Sequence, residues 1–396
     1  MLLLMVQILS TLNIMKGKQQ VKRKIKFFVP LISLFTQITP CFANNSKNSL
    51  RPDLIRQEGI VKAQFLFEDA PFKSCHASTI AQTQDFFVVA FFGGSNEGNE
   101  DVGIWICRKE KNGNSWSPPV EVANGIQFNR LSTNKQQRYP CWNPVLYQAE
   151  NGPLLLFYKV GPRPDSWWGM LTKSLDQGTT WSMPRRLPEG IIGPVRAKPV
   201  MLADGSLLCG SSTEDQGWRV HMEITADLGE TWKRTDVLND GREFDAIQPT
   251  ILIYPDGKIQ ILCRSRGSLL QSWSSDAGRT WSPLIPSILP NPSAGIDAVT
   301  LTDGRQLLVY NHSTKGRDKL NVAVSNDGQN WKAALKLEDE TTIDGKKAYG
   351  AYPAAILASD GLVHVTYTWR RERINYVVID PNKLVLHDMF DGQWPQ

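Results

Sequence analysis

One short pattern constrains what this chain can fold into more than any other, because it recurs. SLDQGTTW at Ser174–Trp181 is followed by TADLGETW at Thr225–Trp232, SSDAGRTW at Ser274–Trp281 and a one-residue-shorter SNDGQNW at Ser325–Trp331. Their starts lie 51, 49 and 51 residues apart, so one structural unit repeats about every 50 residues. Each copy suits a tight strand-to-strand turn. The Asp accepts backbone N–H groups inside the turn, the Gly supplies positive φ, and the Trp covers the hairpin. ICRKEKNGNSW, ending at Trp116, reads as a worn first copy.

A second repeat interleaves with the first. HASTIA at His76, NPVLYQ at Asn143, KPVMLADG at Lys198, QPTILIYPDG at Gln248, DAVTLTDG at Asp297 and YPAAILASDG at Tyr352 each open with a polar residue and run into a strand. Most end in Asp-Gly, a strong hairpin signal when flanked by β-rich runs. A second apolar run follows each, for example FFVVAFFGG and LLLFYKVG. A polar loop, a third strand, the Asp-containing box and a fourth strand complete the unit. Six openings predict an all-β, six-bladed β-propeller, in which radial repetition protects sheet edges. The last unit lacks a box. Either Ile60–Phe67 or Leu384–Met389 is left to supply its outer strand, and the former would close the ring with the N-terminal end. The expected boundaries are an export signal over 1–43 with Met15 as an alternative start, a linker over 44–59, and the propeller over 60–396.

Charge supports this division. Residues 1–43 carry Lys16, Lys18, Lys22, Arg23, Lys24 and Lys26 and no acid, which leaves the rest at −1 although the whole chain is +5. A basic surface for nucleic acid is therefore not expected. The apolar run Phe27–Thr39 after the basic stretch, then Pro40, Cys41, Phe42 and Ala43, reads as a cleaved signal too short to span a bilayer. A periplasmic or secreted protein with no membrane span in its mature chain is expected. The mature chain keeps Cys75, Cys107, Cys141, Cys209 and Cys263, an odd number within strand-like runs. Buried thiols fit best, with one disulfide as the alternative. No metal-ligand spacing and no phosphate-binding Gly-rich loop appear, so no cofactor is expected.

In a propeller the inner strands line a central channel, and the loops between second and third strands rise around one mouth. Residues far apart in sequence therefore converge there: His76, Tyr139, Asn143, Arg196, Lys198, Gln248, Asp297, Tyr349 and Tyr352 from strand openings, and Glu97, Glu100, Asp101, Trp167, Trp168, Glu214, Arg264, Arg266, Asn311, His312, Arg317, Arg370 and Arg371 from loops. Arginines in such a cleft suit bidentate capture of a carboxylate. The box Asp and Trp residues are expected to be structural.

These features resemble the sialidase superfamily, over about Ile60–Asp380. CHAST at Cys75–Thr79 with FGGSNEGNEDVGIW at Phe92–Trp105 is similar to a branch of BNR (Asp-box) repeat proteins described as sialidase-like. The resemblance implies three arginines on the sugar carboxylate, a Tyr nucleophile paired with Glu, and an Asp acid/base. Gln248-PTILIYPDGKIQILC-Arg264 matches the second arginine at Arg264, with Gln248 where the Glu belongs. Arg317 matches the third arginine, Tyr352 the nucleophile with Tyr349 as near alternative, and Asp101 the acid/base. His76 occupies the position of the first arginine. Asn143, Lys198, Asp297 and Arg371 complete the expected substrate-binding set.

Two departures thus fall on functional positions, because a neutral Gln248 cannot take a proton from Tyr352 and His76 is charged only if protonated. Three functions fit. One is a sialidase-like exo-glycosidase acting on a terminal carboxylated sugar. Another is a polysaccharide lyase on uronate-containing glycans, with His76 as base, Tyr352 or Tyr139 as acid, and Arg264 and Arg317 neutralising the carboxylate. The third is a glycan-binding propeller without activity. All three take a carboxylated glycan or oligosaccharide as partner, and a monomer is expected.

Overall fold

Six antiparallel sheets follow one another along the chain in the computed structural model, which describes residues 50–128, 136–340 and 345–395. Blade one is Ser74–Gln82, Phe86–Gly94, Gly103–Glu110 and Val120–Ala123, and blade two Cys141–Gln148, Leu154–Val160, Trp168–Ser174 and Arg185–Arg186. Blade three is Val200–Met201, Leu207–Thr213, Arg219–Thr225 and Lys233–Arg234. Blade four is Ile247–Ile253, Ile259–Arg264, Arg266–Ser274 and Ile285–Pro292, and blade five Asp297–Thr300, Gln306–Tyr310, Lys319–Ser325 and Trp331–Asp339. Blade six takes three strands from the C-terminal part, Gly350–Leu357, Val363–Trp369 and Arg373–Ile379. Its fourth strand is Ile60–Phe65, paired with Ile379–Asn375, so the N-terminal side closes the ring. The β-propeller is the expected one. Leu384–Met389, the other candidate, instead gives blade five a fifth strand at His387–Asp388.

The recurring turn works as its composition dictates. Asp176 Oδ1 accepts from the Ser174 hydroxyl and the N–H groups of Thr179 and Thr180, and Oδ2 accepts from the Thr180 hydroxyl. Asp227, Asp276 and Asp327 repeat the arrangement. Gly178 stands at φ 84°, where a side chain would be strained. The core lies between blades: apolar faces of blades one and two share one cluster, and those of five and six share another with Leu54 and Phe65. The five cysteines among the described residues are buried and unpaired, and burial pushes the Cys75 thiol up.

Part of the stretch expected as a linker is tied down. Pro52–Ile55 forms one helical turn, and Arg51 is buried on Glu338 at 2.8 Å while also bonding Asp53. The stretch reads as polar because its anchoring group is a charge. The expected signal at 1–43 and the first part of the linker, 44–49, lie outside the described residues. Among the described residues no helix is long and apolar enough to cross a membrane.

Four inner strands begin with the same irregularity. The register shifts across His76/Thr79, Trp142/Val145, Ile247/Thr250 and Ala351/Ala354. Within each bulge stands a left-handed residue: Ala77, Asn143, Gln248 and Tyr352, at φ 55°, 35°, 56° and 53°. A bulge re-aims a side chain at the cost of local backbone strain, and these sit at one mouth of the channel.

Candidate functional site

Tyr352 is the centre of this mouth. Its hydroxyl accepts a hydrogen bond from Arg264 Nη1 at 2.6 Å, and the same guanidinium donates to Gln248 Oε1 at 3.2 Å and the Ser293 hydroxyl at 3.1 Å. The guanidinium carbons of Arg196, Arg317 and Arg264 lie 5.2, 5.4 and 5.7 Å from its ring centroid. Burial raises the phenol's pKa, but Arg264 and Arg317 pull the other way. Despite the charge of Glu97, the balance falls below the ordinary value of 10. Gly295 makes room for the ring, since a Cβ there would meet it at 3.3 Å.

Arg317 donates to the Tyr349 hydroxyl at 3.2 Å and to the Ser293 carbonyl at 2.9 Å. Ser293, left-handed at φ 60°, thereby serves two arginines, one through its side chain and one through its backbone. Arg264 is further held against the Trp218 ring at 5.0 Å, whose indole also meets Arg266 at 4.5 Å. Arg371 enters from the turn after the second strand of blade six. Arg370 and Arg371 are both left-handed there, and the Arg371 carbonyl accepts from the Cys75 N–H at 2.8 Å. Its guanidinium pairs with Glu97 at 2.5 Å and bonds Tyr349.

His76 packs on Tyr352 with ring centroids 4.2 Å apart. Its Nδ1 bonds the Thr368 hydroxyl at 2.9 Å, and its buried Nε2 has no partner among the described residues. Burial and then Arg371, Arg317, Arg196 and Arg264 hold its pKa well below 6.5, so the ring is neutral at pH 7. It therefore does not supply the missing cationic charge.

Arg196 does. It is 1% exposed, donates one Nη2 bond to the Pro353 carbonyl, and leaves Nε and Nη1 buried without partners among the described residues. Burial lowers its pKa to about 10, with Asp297 and Tyr352 opposing. The segment leading into it is fixed by buried Glu223, which accepts from the N–H groups of Ile192 and Gly193 at 3.0 and 2.7 Å. The sequence marks Arg196 as an axial residue but not as a site arginine, because the resemblance points to blade one, at His76, for the first arginine. Ser293 and Gly295 carried no recognisable signal.

The remaining expected residues divide. Asp101 is exposed, with Oδ2 accepting from the Ser95 N–H at 2.8 Å and Oδ1 from the Ser95 hydroxyl at 2.9 Å. The carboxylate of that loop whose charge is felt at Tyr352 is Glu97. Lys198 and Asp297 face each other at 3.3 Å, and Asp297 also accepts from Thr250 and the Ala355 N–H. They form a satisfied polar plug across the channel. Asn143 occupies its bulge with its carbonyl on buried Lys159. Trp167 packs on Trp142 at 6.0 Å, capping its loop. Glu214 is half-buried, raised by burial, with Arg264 and a hydrogen bond to Trp218 opposing. Four arginines around two tyrosines form a receptor for an anion beside an acidified phenol. Among the described residues no group of His, Cys, Asp and Glu is placed to hold a metal.

Comparison with known proteins agrees with this architecture. The family model described as BNR repeat-like domain matches residues 85–365. No curated protein matches the sequence significantly. Among solved structures, a protein of unknown function from Dyadobacter fermentans is 17% identical, with a TM-score of 0.65 over 84% of this chain and 100% of that one. A variant of the NanB sialidase from Streptococcus pneumoniae is 13% identical, with a TM-score of 0.65 over 81% of this chain and 71% of its own. The intramolecular trans-sialidase from Ruminococcus gnavus, solved with oseltamivir carboxylate, is 13% identical, with a TM-score of 0.63 over 82% and 99%. At these identities the likeness is one of fold.

Proposed function

The chain belongs to the BNR repeat-like family, and on that footing we propose that it is an exo-acting glycoside hydrolase releasing a terminal carboxylated sugar from a glycan. The observation that carries this reading is the acidified Tyr352 hydroxyl, bonded to Arg264 and ringed by Arg196 and Arg317. Arg196, Arg264, Arg317 and Arg371 receive the carboxylate, and Tyr352 attacks the anomeric carbon. The guanidinium field replaces the missing base: it stabilises the phenolate, where Gln248 only bonds it. The proton for the departing oxygen comes from the 95–101 loop, which carries Glu97 and Asp101. Titratable sialyl-lactose and glucuronide substrates followed by product mass test the reading. Hydrolysis adds the mass of water, and turnover that survives in Tyr352→Phe sinks the assignment of the nucleophile.

One observation favours a second reading. Neutral His76, with an unpartnered Nε2 beside Tyr352, has the form of a base for β-elimination from a uronate whose carboxylate is neutralised by arginines. An unsaturated product without gain of water would select it. We further propose that the protein is exported, on the strength of the basic and apolar runs before Ala43. Mature protein beginning at Asn44 is the expected result of N-terminal sequencing after secretion.

A further inference from the structure

The ion pair between Glu97 and Arg371 joins the mouth loops of two neighbouring blades, one and six, at the edge of the site. Its position is odd for a merely structural bond. Arg371 is hydrogen-bonded to Tyr349, Tyr349 accepts from Arg317, and Arg317 and Arg264 share Ser293. Glu97 is thus a carboxylate already seated at one end of a connected arginine array that has buried, unpartnered N–H groups at Arg196 and Arg264. Both partners of the pair are about one third exposed, at 32% each, so an incoming ligand can reach them. Asp101, on the same loop, is held differently: both its oxygens are taken by Ser95.

We propose that Glu97 occupies Arg371 in place of the substrate's carboxylate, is displaced when substrate binds, takes up a proton, and delivers it to the departing glycosidic oxygen. This rests on the hydrolase reading above. A carboxylate that loses a guanidinium and gains a second carboxylate as neighbour is driven to the protonated form. Besides the substrate's carboxylate it stays near Tyr352, on whose phenol its charge already acts, and near Arg371, while Glu100 and Asp101 follow on its own loop. The step balances. Tyr352 enters as the phenolate that the arginines stabilise, and its oxygen bonds the anomeric carbon as the glycosidic C–O bond breaks. The bonding pair stays on the leaving oxygen, which receives Glu97's proton, and Tyr352 is later released as phenolate again. Water then attacks the anomeric carbon, returns a proton to Glu97 and frees Tyr352. The exchange also imposes selection, since a neutral sugar has nothing with which to compete for Arg371.

Calorimetric titration of the mature chain with N-acetylneuraminic acid and with glucuronic acid, in buffers of different ionisation enthalpy, counts the protons exchanged. The expected result is uptake of about one proton by the wild type and by Asp101→Asn, and none by Glu97→Gln. Freed of its competitor, Glu97→Gln should also bind the acid up to about fivefold more tightly, the scale of a partly exposed ion pair. Its turnover should fall for an alkyl leaving group and persist for an aryl leaving group that departs without a proton. Proton-neutral binding by the wild type, or uptake that persists in Glu97→Gln and vanishes in Asp101→Asn, overturns the proposal and leaves the hydrolase reading intact. Absence of binding by either acid removes that reading, and the exchange with it.

Discussion

Arg196 and Tyr352 form a cation–π contact from separate blades, and the chemistry of the site depends on such cross-axis reach. A guanidinium buried with two unpartnered nitrogens is costly unless a ligand completes it. Arg196→Met should therefore lower kcat/KM by about a hundredfold or more, with the fold retained by circular dichroism. Arg264→Gln should move the ionisation of Tyr352 back up, which ultraviolet difference titration reads as phenolate appearing at higher pH than in the wild type. Gly295→Ala tests packing alone: its methyl would meet the Tyr352 ring at 3.3 Å, so kcat should fall without loss of stability. Strand order brought Arg264, Arg317 and Tyr352 to one mouth from sequence, and the family resemblance then singled them out among the residues gathered there. Arg196 was legible as an axial residue but not as a member of the site, since its reach to the Tyr352 ring on another blade leaves no periodic trace. His76 was legible as a departure, but its neutrality follows from burial and from four arginines on other blades.

At the scale of the element, the box turn was readable because its requirements are local: an acceptor, a residue tolerant of positive φ, and an aromatic cover. Hydrogen bonds from Thr180, Thr231 and Thr280 hold Asp176, Asp227 and Asp276 at about 2, below the ordinary 3.8. Depressed carboxylates contribute stability that is fully present above the unfolded-state value and is lost as pH falls through the folded one. The wild type should thus lose stability between about pH 4 and 2 more steeply than a triple Asp→Asn variant, as measured by thermal unfolding across that range. The segment before Ile60 was not readable. Arg51 meets Glu338 only because the ring closes, and removing one member of a buried pair leaves the other uncompensated. Arg51→Met should cost about 3–5 kcal/mol in denaturant unfolding.

For the molecule as a whole, closure is the decisive fact. Deleting residues through Phe65 would leave Arg373–Ile379 as an open edge with unpaired N–H and C=O groups. Such a truncation should elute from size exclusion as aggregates, whereas removal of 1–43 alone should leave a single well-behaved peak. The six-fold repetition, and with it the fold, followed from the count of strand openings. The division of labour within the mouth did not, because identical bulges carry Ala77, Asn143, Gln248 and Tyr352, and only contacts between blades separate their roles.

Closure by Ile60–Phe65 also sets an order of events. The strand that completes blade six leaves the ribosome before every other blade strand, and its partner, Arg373–Ile379, only after blades one to five. Pairing Ile60 with Ile379 spans all six blades, so the ring is sealed only after the last of them has been made. Until then the newborn propeller carries two complementary unsatisfied edges, and a passing second chain could satisfy either. Concentration during biogenesis, more than final stability, would then govern how much of this protein reaches its native state.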